Sequence, residues 1–303
     1  MVRIHVIRAS RLLAGIAGIL LAGIVIWLLA GALADGGGGE KAHTARMETE
    51  AEAASALFAE ADVISASFYT EADRPSRVLI YHTHTHEAYK QTDGDVYAET
   101  AAWRTRDNGY NVVRVGERLA EELTERGFTV IHDVTDHELN DLSTAYARSL
   151  ETVLNYDGID IYIDLHRDAY NANGSGNPPR VTVNGENTAR LMFLVGNGQG
   201  FQEKEYCADN YECATILTST VNEIAPGLCR PVMVKDGRYN QHVSPRSLLV
   251  EVGHNENLLT EALAAMPYLA EAMKTVFLDG SAPLNRVTAP NDAQNMLATI
   301  SGV

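Results

Sequence analysis

Cysteine is scarce: three residues among 303 are too few to staple a disulfide framework. Basic side chains are also in the minority. Twenty-four Lys and Arg against 40 Asp and Glu leave a formal charge of −16, which argues against gripping a bare polyanion such as nucleic acid by bulk electrostatics. No internal repeat is visible. Charged residues at 21% and aromatics at 7% do not give the composition of a disordered chain. What is present is apolar: 46% of the side chains, enough for one domain of ordinary size plus extra segments.

One extra segment is plain. Residues 12–34 hold no charged side chain, and 23 helical residues would reach roughly 35 Å, enough to cross a hydrocarbon core of about 30 Å. Arg3, Arg8 and Arg11 precede the run, whereas Asp35 and Glu40 come after it. The positive-inside rule then keeps residues 1–11 in the cytoplasm as a tail and exports the chain beyond a transmembrane anchor. A cleaved signal peptide is the competing reading, because small residues precede Asp35. Residues 35–76, opening on Gly36 to Gly39 and closing on Pro75, read as a flexible linker. In an exported domain Cys207 and Cys213 could bridge across a turn, leaving Cys229; three free thiols is the alternative.

Residues 77–280 alternate between strand and helix patterns, and 281–303 form a tail with no clear pattern. Strands are predicted at 78–83, 128–133, 159–166 and 247–253, two more within 180–196, the first ending at an Asn-Gly turn. Helices are predicted at 111–127, about 140–155, 207–224 and 258–278. The expectation is an α/β fold, a mostly parallel twisted sheet with helices on both faces, whose ligands bind at the carboxyl ends of the strands.

Three strand ends carry polar groups that a buried strand does not otherwise favour. The first runs into HTHTHE (82–87), a later one into Asp164, His166, Arg167 and Asp168, and Glu251 sits between Val250 and Val252. Zinc sites for hydrolysis use three protein ligands and an open position for water. His84 and Glu87 can reach one ion from a single junction, His166 can add the third ligand, and Glu251 suits a general base. Each piece has a plain alternative. A lone strand-end histidine is usually structural, Asp164 and Asp168 could cap loops or pair with Arg167, and Glu251 could pair with a buried Arg. Burying a carboxylate in an apolar run costs several kcal/mol without compensation, about what a metal ion or an arginine would offset. His5, His43, His132, His137 and His242 read as ordinary surface or loop residues, and His254 is ambiguous. Arg230, Arg238, Tyr239, Asn240 and Gln241, with Arg167, offer contacts for a polar, peptide-like substrate, or else form an ordinary surface loop.

HTHTHEAY (82–89), NVVRVG (111–116), DLHRDA (164–169), PGLCR (226–230) and GRYNQ…SP…LLVEVG (237–253) together resemble the stage II sporulation protein P family over about residues 77–280. The resemblance implies an amidase-like fold and zinc-dependent cleavage of the amide between N-acetylmuramic acid and L-alanine. It also implies peptidoglycan degradation during engulfment on the outer face of the membrane, and partnership with stage II sporulation proteins D and M. Endopeptidase activity on stem peptides is implied as well. Carried onto this sequence, the pattern assigns His84 and His166 as zinc ligands and Glu251 as the catalytic glutamate. The middle ligand is Glu87 in the sporulation register and Asp107 in that of classical amidases; Glu87 is preferred. His86 stands where the family varies and is not counted.

Two other functions compete: a zinc carboxypeptidase or endopeptidase on stem peptides, and a non-catalytic module that binds cell-wall glycopeptide. Glu251 disfavours the second, since a pure binder needs no base beside its metal.

Overall fold

A computed structural model describes residues 75–139, 141–169, 179–201 and 205–279. The expected cytoplasmic tail 1–11, the anchor 12–34, the linker as far as residue 74, the tail 281–303, and His5 and His43 lie outside the described residues. Among the described residues no helix is long and apolar enough to cross a membrane.

In chain order the elements are β1 (Arg77–Tyr81), α1 (Val112–Glu125), β2 (Thr129–His132), α2 (Ala145–Leu154), β3 (Ile161–Asp168), β4 (Arg180–Val183), β5 (Glu186–Ala189), β6 (Leu191–Gly196), α3 (Cys207–Ile224), β7 (Met233–Lys235), β8 (Ser247–His254) and α4 (Leu259–Phe277). Six strands form one sheet in the order β2-β1-β3-β8-β6-β7, and β4 and β5 form a separate pair. Strands β2, β1, β3 and β8 run parallel, as expected. Strand β6 runs antiparallel to β8, and the short β7, which the sequence pattern did not reveal, runs parallel to β6.

The stretch 180–196, expected to hold two strands, holds three. Asn184 and Gly185 both take positive φ, 50° and 85°, which turns β4 back on β5 as an antiparallel hairpin. A single residue, Arg190, then separates β5 from β6. A parallel strand needs a crossover of a dozen or more residues, usually helical, and no helix lies between β3 and β6 among the described residues. The chain therefore re-enters the sheet in the reverse sense.

Side-chain alternation divides the sheet into two unlike faces. Val78 and Ile80 of β1, Ile161, Ile163 and Leu165 of β3, and Leu248, Val250 and Val252 of β8 join one large core with α1, α3 and α4. The opposite face carries a much smaller apolar cluster, in which Leu79 and Tyr81 meet Val153 of α2. Asp164, His166 and Glu251 alternate with the core residues and so belong to this second, thinly covered face. Helices do cover both faces, but unequally.

Helix α1 begins at Asn111, whose side chain caps it by accepting from the Val113 amide at 2.9 Å, and it buries Val112, Val115, Leu119 and Leu123. Cys207 and Cys213 both lie in α3, and all three cysteines are free and buried. Six helical residues rise about 9 Å, beyond the span of a disulfide, so of the two readings left open by the sequence it is the three free thiols that the structure shows.

His132, read from sequence as an ordinary residue, is paired instead. His82 is fully buried, and its Nδ1 lies 2.8 Å from the Leu165 carbonyl and its Nε2 2.9 Å from His132 Nε2. Burial, with the His132 imidazole beside it, pushes His82 down to about 3. The ring is therefore neutral: Nδ1–H donates to Leu165, and Nε2 accepts from His132. Gly116 of α1 packs directly on this pair, and a Cβ there would stand 2.6 Å from each Nε2. Helix propensity alone favours Gly→Ala by about 1 kcal/mol, but overpacking a filled core costs about 1–3 kcal/mol. Gly116→Ala should therefore lower the thermal unfolding midpoint; a midpoint raised by calorimetry would refute this packing.

Candidate metal centre

The polar residues collect where β1, β3 and β8 end. In the β3–β8 register His166 lies directly opposite Glu251, and side chains so paired share a face within about 5 Å. Their rims are covered: His166 is 3% and Glu251 9% exposed. Asp164, two residues before His166 on the same face, accepts from the Thr83 amide at 2.8 Å and the Thr83 hydroxyl at 2.7 Å. These bonds tie the HTHTHE loop to β3. Glu87, at the far end of that loop, is fixed through its backbone, whose carbonyl accepts from the Val112 amide at the start of α1 (2.8 Å). Its carboxylate accepts from the Arg167 amide at 3.0 Å and lies 3.4 Å from His166 Nδ1.

Each imidazole has a carboxylate behind it. His166 Nε2 lies 2.8 Å from Asp164 Oδ1, and His84 Nδ1 lies 3.4 Å from Glu138 Oε1, though neither nitrogen meets hydrogen-bond geometry. The His84 and His166 rings stand edge to face with centroids 5.4 Å apart. Glu138 also reaches His86 Nδ1 at 3.4 Å and forms an ion pair with Arg104, while Asp136 holds His86 Nε2 at 2.8 Å. Sequence reasoning missed Glu138 and Asp136. It also missed Tyr146 of α2, whose ring packs on His84 at 5.5 Å. His137, expected as an ordinary surface or loop residue, lies in a loop and is buried.

The electrostatics separate the two glutamates. Burial pushes the Glu251 carboxyl up to about 8; His166 opposes that shift, while Glu87 and Asp168 add to it. Burial acts on Glu87 in the same direction, but contact with His166, then the charges of His166, Arg167 and His84, reverse it and bring the carboxyl down to about 2. Burial pulls His166 down as well, yet Asp164 and then Glu87 hold it well above the ordinary imidazole value. The carboxylates thus favour positive charge at His166, the place where a divalent cation would displace a proton.

The donor set suits zinc. Two ligand atoms about 2.0–2.1 Å from a tetrahedral ion lie about 3.3 Å apart, close to the 3.4 Å between His166 Nδ1 and Glu87. Glu251 Oε2 is buried without a hydrogen-bond partner, as is expected of a group awaiting a ligand. Among the described residues no group of three His, Cys, Asp or Glu side chains stands close enough together to hold a metal ion as placed. The arrangement is two pairs, His166 with Glu87 and His84 with Glu138, on either side of the ring contact.

Other expected site residues separate into two groups. Asp107 is exposed, and its carboxylate accepts from the Gly109 amide at 3.0 Å; it is Glu87 that meets His166. The Arg167 guanidinium is taken up by the Ala88 and Trp103 carbonyls, both at 2.9 Å. Asn240 and Gln241 are buried. Asn240 donates to the Tyr146 carbonyl at 2.8 Å, and Gln241 accepts from the Gly196 amide and donates to the Leu194 carbonyl, each at 2.8 Å. These three residues hold loops in place through buried backbone groups. Arg230 pairs with Asp168 at 2.9 Å. Arg238 and Tyr239 stay at the edge of a cavity of about 410 Å³ that Tyr146, Leu150 and Phe201 also line. His254 Nδ1 accepts from the Glu256 amide at 3.0 Å.

A sequence model of the family described as stage II sporulation protein P matches residues 36–274. Stage II sporulation protein P of Bacillus subtilis (strain 168) is 29% identical over 218 residues, 67% of this chain and 51% of that protein. The chain therefore spans about half the length of that relative. Among solved structures, an N-acetylmuramoyl-L-alanine amidase of Nostoc punctiforme aligns with a TM-score of 0.39 and 16% identity, covering 68% of this chain and 96% of that one. One from Clostridium difficile 630 aligns with a TM-score of 0.42 and 14% identity, covering 67% and 95%.

The loop contacts generate a test. Removing the Gln241 amide strands a buried amide and a buried carbonyl, at about 1–3 kcal/mol each. Gln241→Ala should therefore destabilise the protein by at least about 2 kcal/mol, whereas Glu125→Ala, at an exposed position of α1, should stay within about 0.5 kcal/mol of the parent. Urea denaturation measures both, and equal midpoints would contradict the structural role of Gln241.

Proposed function

The chain belongs to the stage II sporulation protein P family, and from that premise and the strand-end site we propose that it is a zinc-dependent peptidoglycan hydrolase, an N-acetylmuramoyl-L-alanine amidase, acting in cell-wall remodelling during sporulation. The observation that carries this reading is the cross-strand pairing of Glu251 with His166, beside a Glu87 carboxylate 3.4 Å from His166 Nδ1.

His84, Glu87 and His166 would hold the ion, with Glu138 and Asp164 orienting the two rings from behind. Zinc in that place would supply Lewis acidity and bring the pKa of a water from 15.7 to about 7. Glu251 takes a proton from the attacking water and returns it to the nitrogen of the departing amine, so the C–N bond breaks without expelling an amide anion. Glu251 would ionise more readily beside a bound cation, since opposite charge favours the charged carboxylate, and would so be ready as a base.

The charge-free run 12–34 with Arg3, Arg8 and Arg11 before it supports a single-pass anchor in the cell membrane with the hydrolase on the outer side. Stage II sporulation proteins D and M are the partners proposed for that location.

Purified full-length protein in detergent should bind about one zinc and release glycopeptides from peptidoglycan with free L-alanine amino ends, as read by mass spectrometry; a chelator should stop release. Glu251→Gln should keep zinc and lose about 10²–10⁴-fold in rate, whereas His84→Ala and His166→Ala should lose both zinc and activity. Products carrying new amino ends within the stem peptide, or a Glu251→Gln enzyme as fast as the parent, would overturn the amidase assignment and the base assignment respectively.

A further inference from the structure

Tyr146 stands in the first turn of α2, between the metal centre and the 410 Å³ cavity. Its ring meets His84 edge-on at 5.5 Å on one side and Tyr239 at 5.7 Å on the other. The backbone beneath is fixed: the Tyr146 carbonyl accepts from Asn240 at 2.8 Å, and Asn240 also bonds the Ser149 hydroxyl at 3.0 Å. Ser149 in turn bonds Thr83, beside His84, at 2.8 Å. The ring is therefore held on two sides above a fixed backbone, whereas the phenol oxygen has no hydrogen-bond partner among the described residues; burial, and then the charges of Asp164, Glu87 and Glu251, favour its neutral form. A phenol, with an ordinary pKa of about 10, carries its proton at neutral pH and can donate it in a hydrogen bond.

We propose that the Tyr146 hydroxyl is a catalytic hydrogen-bond donor that stabilises the oxyanion formed when water adds to the scissile amide carbonyl. This rests on the hydrolase reading above. As the water oxygen bonds to the carbonyl carbon, the C=O electron pair moves onto oxygen and the water proton goes to Glu251. Collapse of that adduct restores C=O and breaks the C–N bond, the nitrogen taking the proton back from Glu251. Negative charge on the carbonyl oxygen exists only between those two events, and a donor preset on a rigid ring strengthens its bond there without reorganising. The nearby Arg167 guanidinium is taken up by backbone carbonyls and does not serve that oxygen.

Tyr146→Phe removes one oxygen and keeps the ring contacts with His84 and Tyr239. With soluble muramoyl-peptide substrate and zinc-loaded full-length protein, it should lower kcat by about 10²-fold, the loss seen for a single oxyanion donor. KM should stay within about twofold, and zinc content and thermal midpoint should be unchanged. A kcat within about threefold of the parent overturns the assignment, as does a raised KM at parental kcat, which would mark ground-state binding. Loss of zinc overturns it too, since that would mark support of His84 only. A parent enzyme that binds zinc yet releases no product overturns the hydrolase reading itself, and this donor with it.

Discussion

The two-residue period of β3 and β8 is the constraint on which the site depends. Ile163 and Leu165 on β3, and Leu248, Val250 and Val252 on β8, must face α1, α3 and α4 to fill the large core. With those positions fixed, Asp164, His166 and Glu251 can face only the other way, and the pairing of His166 with Glu251 is set by the strand register. A slip of one residue would turn Glu251 into the apolar core and Val250 out of it; a carboxylate buried there unpaired costs several kcal/mol. Core packing on one face thus sets the distance between two functional groups on the other.

The thin face meets the cost of its own burial with pairing. Each candidate ligand histidine is backed by a carboxylate, Asp164 for His166 and Glu138 for His84, and the loops bearing them are tied to backbone groups by Thr83, Arg167, Asn240 and Gln241. The second tier accounts for the shape of the first. The Arg104–Glu138 ion pair and the Asp136–His86 contact add to the bonds of His82 and Thr83 in holding the HTHTHE loop at the strand ends. The two glutamates of the centre are pushed to opposite sides of neutrality, Glu87 down and Glu251 up, the division of labour expected when one carboxylate binds and the other exchanges protons.

Much of this was legible in the residues. His84, Glu87, His166 and Glu251 are marked by polar groups at the ends of apolar runs; short buried apolar runs place the parallel strands, and the longer segments between and after them place all four helices. Less legible were features with no local signature. The direction of β6 depends on how the chain returns to the sheet after β3, which the alternation of LMFLVG does not record. Glu138 and Asp136 lie in DVTDHEL, a stretch without period whose value comes from folding back over the first loop. Tyr146 looks like any amphipathic helix residue until α2 is set against His84. Asn240 and Gln241 were legible only as polar residues of a loop, offered for substrate contact or as ordinary surface; that they bond buried backbone groups of β6 and α2 has no local signature. Local pattern reports which way a side chain faces in its own element, and long-range contact decides what it meets.

The central claim is a single divalent ion held where β1, β3 and β8 end. Anomalous diffraction at the zinc absorption edge from crystals grown with zinc tests it most directly. The account predicts one peak within about 2.3 Å of nitrogen on both His84 and His166 and of oxygen on Glu87, with Glu251 close by but outside the ligand shell. A peak centred on His86, Asp136 and Glu138 instead, or no peak between the two rings, would contradict it.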